Sequence, residues 1–126
     1  MIHERHFTPA EADRLLPALT QLLAELREAK ESLTDEEAHG ALAEASGGNG
    51  GGTEGRKVGE AFLRVRRLLA TIQEAEVVVR DIDRGLVDFP AVLDGREVYL
   101  CWRLGEESVG FWHELDSGFR GRQPLD

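Results

Sequence analysis

The sequence predicts an α+β fold in which a long antiparallel helical hairpin packs on one face of a small antiparallel β-meander. Three observations predict it. Apolar residues recur at helical spacing through the first two thirds of the chain, a glycine-rich run divides that region, and the apolar period changes to two after Val77-Val78-Val79. With 126 residues, the chain is expected to form one domain with one core, in which the hairpin spans about 9–76 and the meander with a C-terminal loop about 77–126.

The first helix is predicted from its start signal. Thr8 is a good N-cap, Pro9 suits the first helical position, and Glu11 can complete a capping box. An apolar seam at steps of four and three follows, made of Leu15, Leu19, Leu22, Leu26, Ala29 and Leu33 and flanked by Leu16 and Leu23. Pro17 is expected to kink this helix or to restart it one turn in, and the helix is expected to run to about Ala45.

A glycine-rich linker and a second helix complete the predicted hairpin. Residues 46–52 break the helical pattern, and a second helix is expected from Thr53 or Arg56 to Ala75. Its apolar positions keep the four-three spacing: Val58, Phe62, Val65, Leu69 and Ile72. Two seams of matching period joined by a flexible link predict antiparallel packing, with the sheet covering the pair.

Two turns divide the predicted sheet. Asp94-Gly95 is a strong two-residue hairpin signal, whereas Glu106-Glu107 is a weaker one. We expect Leu93 to face Arg96 across the first turn, and the residue pair at positions 104 and 109 to face each other across the second. Opposite partners share a face of a sheet, so these two pairs predict which side chains lie together.

The predicted faces differ in chemistry. The face expected to pack on the helices contains Val87, Phe89, Ala91, Val98, Leu100, Trp102, Leu104, Val109, Phe111, His113 and Leu115. The reverse face is expected to contain Leu86, Asp88, Pro90, Val92, Glu97, Tyr99, Cys101, Arg103, Gly110, Trp112 and Glu114. A register shifted by one residue would exchange the faces.

The chain resembles a bacterial family catalogued as a domain of unknown function, number twenty-two-oh-three. The resemblance is carried by the stretches 85–90 and 97–106, and it continues through Phe111-Trp112-His113-Glu114, Asp116, Gly118-Phe119 and Gly121-Arg122. It covers nearly the whole chain and implies a small, single-domain, cytoplasmic bacterial protein. It implies no activity, cofactor or catalytic residue.

Composition narrows the classes of partner. A net charge of −9 argues against binding to nucleic acid, which needs a basic surface, and against an anionic membrane surface. One cysteine, Cys101, excludes an internal disulfide and a cysteine-cluster zinc site. The start of the chain lacks the apolar run of a signal peptide, so a cytoplasmic location is expected.

The histidine beside two acids is the first candidate for metal chemistry. His113 is followed by Glu114 and Asp116, and histidine titrates and binds metals near neutral pH. In the predicted register, His113 and Glu114 point to opposite faces, so a divalent-metal site would combine His113 with Asp116 and take a further ligand from His3 or His6. A structural histidine is favoured over this metal site. No cofactor is predicted, and a divalent metal is the alternative.

Arginine, cysteine and aromatic residues supply the other candidates. Arg120 and Arg122 suit a carboxylate or phosphate group; the favoured alternative is that one of them pairs with Asp88, Glu97 or Glu114 and pins the tail to the sheet. Cys101 is predicted to lack a base, because the expected register places His113 on the other face.

The leading hypothesis is a non-enzymatic binding or interaction module. The reverse face is expected to serve as a homodimer or partner surface, with the wall of a small-ligand pocket or an ordinary solvated face as alternatives. Small anionic ligands are a further expected partner of this face and the C-terminal loop. The residues predicted to bind are Asp88, Glu97, Tyr99, Arg103, Trp112, His113, Glu114, Asp116, Arg120 and Arg122. The alternative function is a metal-dependent or acid–base enzyme that uses His113 with nearby carboxylates.

Overall fold

The computed structural model describes residues 1–33 and 56–125, and it has the predicted α+β fold. Two helices precede a five-stranded antiparallel sheet. In chain order the elements are α1 (Pro9–Lys30), α2 (Arg56–Glu74), β1 (Val78–Asp81), β2 (Leu86–Leu93), β3 (Arg96–Arg103), β4 (Phe111–Glu114), a 3₁₀ turn (Phe119–Gly121) and β5 (Gln123–Pro124). None of the described helices is both long and apolar enough to cross a membrane.

Helix α1 begins with the predicted capping box and ends earlier than predicted. The Thr8 hydroxyl accepts from the Glu11 amide, and the Glu11 carboxylate accepts from the Thr8 amide. Pro17 lies within one continuous helix. The helix ends at Lys30, so its expected extension to about Ala45 is wrong: the chain turns at residues 31–33, with the Glu31 amide bonded to the Arg27 carbonyl. The predicted linker at residues 46–52 lies outside the described residues.

Both helices and one face of the sheet share a single core. The buried stripe of α1 is Ala12, Leu16, Leu19, Leu23, Leu26 and Ala29. It keeps the predicted steps of three and four residues and shares Leu19, Leu26 and Ala29 with the predicted seam. The flanking residues Leu16 and Leu23 are buried in place of Leu15 and Leu22. Helix α2 contributes Phe62, Val65, Leu69 and Ile72, and the sheet contributes Val87, Phe89, Ala91, Val98, Leu100 and Trp102. The arrangement as an antiparallel hairpin stays a prediction, because the connection between the helices is not described.

The five strands pair in sequential order, and the turn between β2 and β3 is the predicted one. Leu93 pairs with Arg96 across Asp94 and Gly95, whose φ angles are 52° and 76°. Positive φ at both central positions defines a type I′ turn, which matches the right-handed twist of the strands and which glycine adopts without steric cost. The pairing predicted from Asp94-Gly95 is therefore confirmed.

The register of β3 against β4 differs from the predicted one by one residue. Tyr99 pairs with His113 and Leu100 with Trp112. The expected pair of Leu104 and Val109 does not form, and the Val109 amide donates instead to Asp13 of α1 at 2.7 Å. The shift of one residue exchanges the faces of β4.

Exchanging the faces of β4 corrects the predicted placement of its four residues, of which Glu114 now shares the helix-facing side with Val98. Phe111 and His113 lie on the side of the sheet away from the helices, with Tyr99 and Cys101. Trp112, expected on that side, packs instead against the helix-facing core. The predicted separation of Cys101 from His113 is therefore wrong.

Candidate functional site

Three buried polar or charged side chains lie on the face of the sheet opposite the helices, which we call the second face. They are Asp88 on β2, Glu97 on β3 and His113 on β4, and they are the buried polar residues of the described part of the chain. Burying such groups is unfavourable unless each is hydrogen-bonded. The partners of these three therefore identify where the second face is organised.

Asp88 and His113 form a buried pair at the centre of the second face. His113 Nε2 lies 2.9 Å from Asp88 Oδ1, and the two side chains are only 2% and 4% exposed. The other ring nitrogen, Nδ1, lies 2.7 Å from the Glu114 carbonyl oxygen. Since both ring nitrogens face acceptors, both donate and the ring is an imidazolium. The pair is therefore a buried ion pair in which the histidine orientation is set from both sides.

The surroundings of His113 favour its charged form. Burial by itself lowers the pKa of His113, but the hydrogen bonds to Asp88, to Cys101 and to the Glu114 carbonyl raise this pKa from 6.5 to about 10. The hydrogen bonds of His113 therefore stabilise its positive charge by more than burial destabilises it.

Arg80 on β1 contributes a third charged group next to Asp88 and His113. Arg80 donates through Nε to Asp88 Oδ2 at 2.8 Å, and its guanidinium lies over the Tyr99 ring. The Arg80 side chain is 45% exposed, whereas that of Asp88 is almost fully buried. Asp88 therefore accepts from two cationic groups, one on each carboxylate oxygen.

Cys101 lies beside this pair. It is paired directly with Asp88 across β2 and β3, and it is 2% exposed. The Cys101 sulfur, a carboxylate oxygen of Asp88 and a ring nitrogen of His113 all lie within 4.8 Å of one another. The thiol, carboxylate and imidazole thus converge at one point on three adjacent strands.

A cavity of about 270 Å³ opens onto these groups. The sheet forms its floor, and the C-terminal segment after β4 forms its other wall. It is lined by Arg80, Leu86, Asp88, Cys101, His113, Leu115, Asp116, Gly118 and Phe119. The cavity combines a polar floor with a rim of apolar residues and the acidic Asp116, and such a mixture of apolar and polar groups is usual for small-ligand sites.

The N-terminal segment covers the other end of the second face. The Glu97 carboxylate accepts from the Ile2 and His3 amides at 2.8 and 3.0 Å and lies 2.8 Å from His6 Nε2. His3 Nε2 lies 2.6 Å from the Tyr99 hydroxyl. Burial alone would raise the pKa of Glu97, but these hydrogen bonds lower it to about 2. His3 and His6, considered as metal ligands above, are thus bound to Tyr99 and Glu97.

Arg122 fastens the C-terminal segment over the cavity. Its two terminal nitrogens lie 3.1 and 2.9 Å from the two carboxylate oxygens of Glu106, and its guanidinium stacks on Phe111 and Phe119. The C-terminal segment is therefore bound to the loop after β3, and the expected pairing of Arg122 with Asp88, Glu97 or Glu114 is wrong for these three acids, which pair with other residues. Arg120, two residues earlier, is exposed.

The remaining predicted residues lie apart from the cavity or at its rim. Glu114 pairs with Arg96 at 2.8 Å, and the same guanidinium lies over the Trp112 ring. Arg103 is exposed at the end of β3. Asp116 is exposed and lines the cavity rim, but it is not part of the convergent group at His113. The expected grouping of His113 with Asp116 is replaced by one with Asp88 and Cys101.

Sequence comparison identifies the family. Residues 5–125 match the family described as an uncharacterized conserved protein, DUF2203, so the chain belongs to that family and the resemblance noted from the sequence is confirmed. Comparison with curated proteins and with solved structures gave no match.

Arg80 and Cys101 were missed as members of the site. Arg80 directly follows the apolar run that ends at Val79, and this position does not indicate that its side chain reaches Asp88 on the next strand. For Cys101 the signal was present, since Asp88 and Cys101 were placed on one face; only the β4 register concealed His113 beside them.

Proposed function

We propose that this protein is a small-ligand-binding module, whose ligand occupies the cavity between the second face and the C-terminal segment. The observation that carries the proposal is this cavity of about 270 Å³ with an ordered ion-paired floor. Ligand pockets usually measure roughly 300–1,000 Å³, so the ligand is small.

The cavity walls favour a ligand with one anionic group and an apolar part. Arg80 has five N–H donors. Asp88 accepts from the one on Nε, the Tyr99 side chain also hydrogen-bonds with the guanidinium, and nearly half of the Arg80 side chain is exposed. A planar guanidinium matches a carboxylate or a phosphate group in two-point geometry. Leu86 and Phe119 offer apolar contact to the remainder of the ligand.

Binding is better supported than acid–base catalysis by His113. Both ring nitrogens of His113 already face acceptors, Asp88 Oδ1 and the Glu114 carbonyl. A general base needs a free ring nitrogen within reach of the proton that it removes. The histidine is therefore placed to hold the floor of the cavity in shape.

Self-association through the second face stays a prediction, but Tyr99 and Trp112 no longer belong to the surface expected to mediate it. Tyr99 is 5% exposed and contacts His3, and Trp112 packs on the helix side, so these two residues do not form one exposed patch. Native mass spectrometry of the purified protein would report both its assembly state and any small molecule that copurifies.

Ligand binding is tested with Arg80→Gln and a matched control. Arg84→Gln removes an exposed arginine on the neighbouring turn, whose side-chain Nε lies 3.9 Å from Asp81 Oδ2. Small carboxylates and phosphate esters are screened by thermal shift and isothermal titration. We expect wild type and Arg84→Gln to bind the same anions, and Arg80→Gln to bind them at least about 10-fold more weakly, consistent with a lost charged hydrogen bond. Equal binding by all three proteins would refute the proposal.

A further inference from the structure

Three side chains with metal-binding chemistry meet on the floor of the cavity. Asp88, Cys101 and His113 come from β2, β3 and β4 and are 3%, 2% and 2% exposed. Within residues 1–33 and 56–125, they are the only group of three His, Cys, Asp or Glu side chains whose donor atoms converge, all within 4.8 Å. Adjacent strands of one sheet hold the donors rigidly, as a preorganised metal site requires.

We propose that Asp88 Oδ1, Cys101 Sγ and His113 Nε2 bind a divalent transition metal, zinc above all, with a fourth position open to the cavity. Three protein ligands with one open position are typical of zinc sites that bind an exchangeable water or ligand. A thiolate with an imidazole selects zinc over magnesium or calcium, which prefer oxygen ligands alone.

The hydrogen bonds around the three residues leave the correct donor atoms for a metal. Nδ1 of His113 donates to the Glu114 carbonyl, so Nε2 is the nitrogen that faces Asp88 and Cys101. Arg80 holds Oδ2 of Asp88 and leaves Oδ1 toward the histidine. Partners of this kind orient the ligands of metal sites and maintain their affinity.

The exchange of protons for metal is balanced in charge. Before binding, the cluster holds one carboxylate, one imidazolium and one neutral thiol, with a net charge of zero. A divalent ion displaces the proton on Nε2 and the proton of the thiol, and both protons pass to solvent. The bound state holds a 2+ ion, a carboxylate, a thiolate and a neutral imidazole, again with a net charge of zero. Metal binding therefore introduces no net charge into this buried site.

The Asp88–His113 pair would need to move little to bind a metal, and the Cys101 sulfur lies within 4.8 Å of both donor atoms. Ligand atoms about 2.0 Å from a tetrahedral metal lie about 3.3 Å apart. The distance between Asp88 Oδ1 and His113 Nε2 is 2.9 Å, so the two atoms would separate by about 0.4 Å. The metal site goes beyond the proposed binding of an anionic ligand at Arg80. It does not depend on that ligand, because Asp88, Cys101 and His113 supply all three donor atoms.

Cobalt titration of the full chain tests the metal site. The protein is stripped with a chelator and titrated with Co²⁺, whose absorption spectrum reports thiolate ligation and tetrahedral geometry, and then with Zn²⁺ in competition. We expect one ion per chain, a thiolate-to-cobalt band, and displacement of cobalt by zinc. Cys101→Ser should lose the band and bind Zn²⁺ more than about 100-fold more weakly, beyond the effect of losing an orienting partner.

The matched control is Asp83→Asn, which removes an exposed carboxylate that pairs with Lys30. This variant should bind cobalt as wild type does, and circular dichroism of each protein establishes that it is folded. Absence of a thiolate band in folded wild type, or equal affinity in Cys101→Ser, would overturn the inference. Because the titration uses no anionic ligand, its result is independent of the result for Arg80→Gln.

Discussion

At the scale of single residues, the unusual feature is a charged histidine that water hardly reaches. His113 is 2% exposed, yet Asp88 and the Glu114 carbonyl accept from both of its ring nitrogens. Removing one partner of such a buried pair is more destabilising than removing an exposed charge, since the other group is left unpaired. The stability of the protein should therefore depend on the protonation of this one ring.

His113→Gln tests the link between this ring and stability. Because the pKa of His113 is raised from 6.5 to about 10, its charge stabilises the fold in full below pH 6.5, and this contribution is lost as pH rises from 6.5 to 10. The free energy of unfolding of metal-free protein, measured by denaturant at pH 6, 8 and 10 in the presence of a chelator, should fall more steeply in wild type than in His113→Gln. Parallel pH profiles of the two proteins would contradict this expectation.

At the scale of elements, the entry to β2 depends on a close approach between two backbone segments. Gly85 has a φ of 64°, and its carbonyl accepts from the Leu104 amide at 2.9 Å. A Cβ atom on Gly85 would lie 2.5 Å from the Leu104 Cβ, which is well inside contact distance. Gly85 and Leu104 thus continue the register of β2 against β3 by one residue pair beyond Leu86 and Arg103.

Gly85→Ala should destabilise the protein, and Gly110→Ala serves as its control. The left-handed conformation alone costs about 1–2 kcal/mol for a residue with a Cβ, and the overlap with Leu104 adds to it. A Cβ on Gly110 meets nothing within 4 Å, so Gly110→Ala should change the free energy of unfolding little. Chemical denaturation of both variants measures the difference. Similar values for the two variants would show that Gly85 is not a constrained position.

At the scale of the whole molecule, both ends of the chain fold back onto the second face. Ile2 and His3 donate to Glu97, some 95 residues later in the chain, while Arg122 fastens the C-terminal segment to Glu106. The helices cover the other face. The N-terminal segment therefore covers Glu97 on the second face, and the cavity lies between the sheet and the C-terminal segment.

Arg122→Ala should open the C-terminal wall of the cavity without unfolding the sheet. It removes a two-point charged pair and two aromatic contacts, which together contribute about 1–2 kcal/mol at a partly exposed site. Amide hydrogen exchange should increase in residues 115–125 while the amides of β2 and β3 stay protected. Arg120→Ala, at an exposed position in the same turn, should leave the exchange pattern as in wild type. Increased exchange throughout the sheet would instead indicate a global role for Arg122.

Part of the site could be predicted from the sequence, because the strands that carry Asp88, Cys101 and His113 could each be identified from their own residue patterns. Asp88 and Cys101 were placed together, since the two-residue turn at Asp94-Gly95 sets the register of β2 against β3. His113 was recognised as a candidate but was assigned to the wrong face. Arg80 was absent from the prediction, since nothing local indicates that its guanidinium reaches Asp88 on the next strand.

The sequence by itself determined the α+β class, the start of α1 at its capping box, the buried spacing of both helices and the first β-turn. Each depends on contacts within a few residues, where side-chain period and backbone preference decide the conformation. Tertiary structure decided the register of β4, in which Tyr99 pairs with His113 while the Val109 amide bonds to Asp13 of α1. Side chains alternate along a strand, so this register placed His113 beside Asp88 and Cys101 and thereby formed the site.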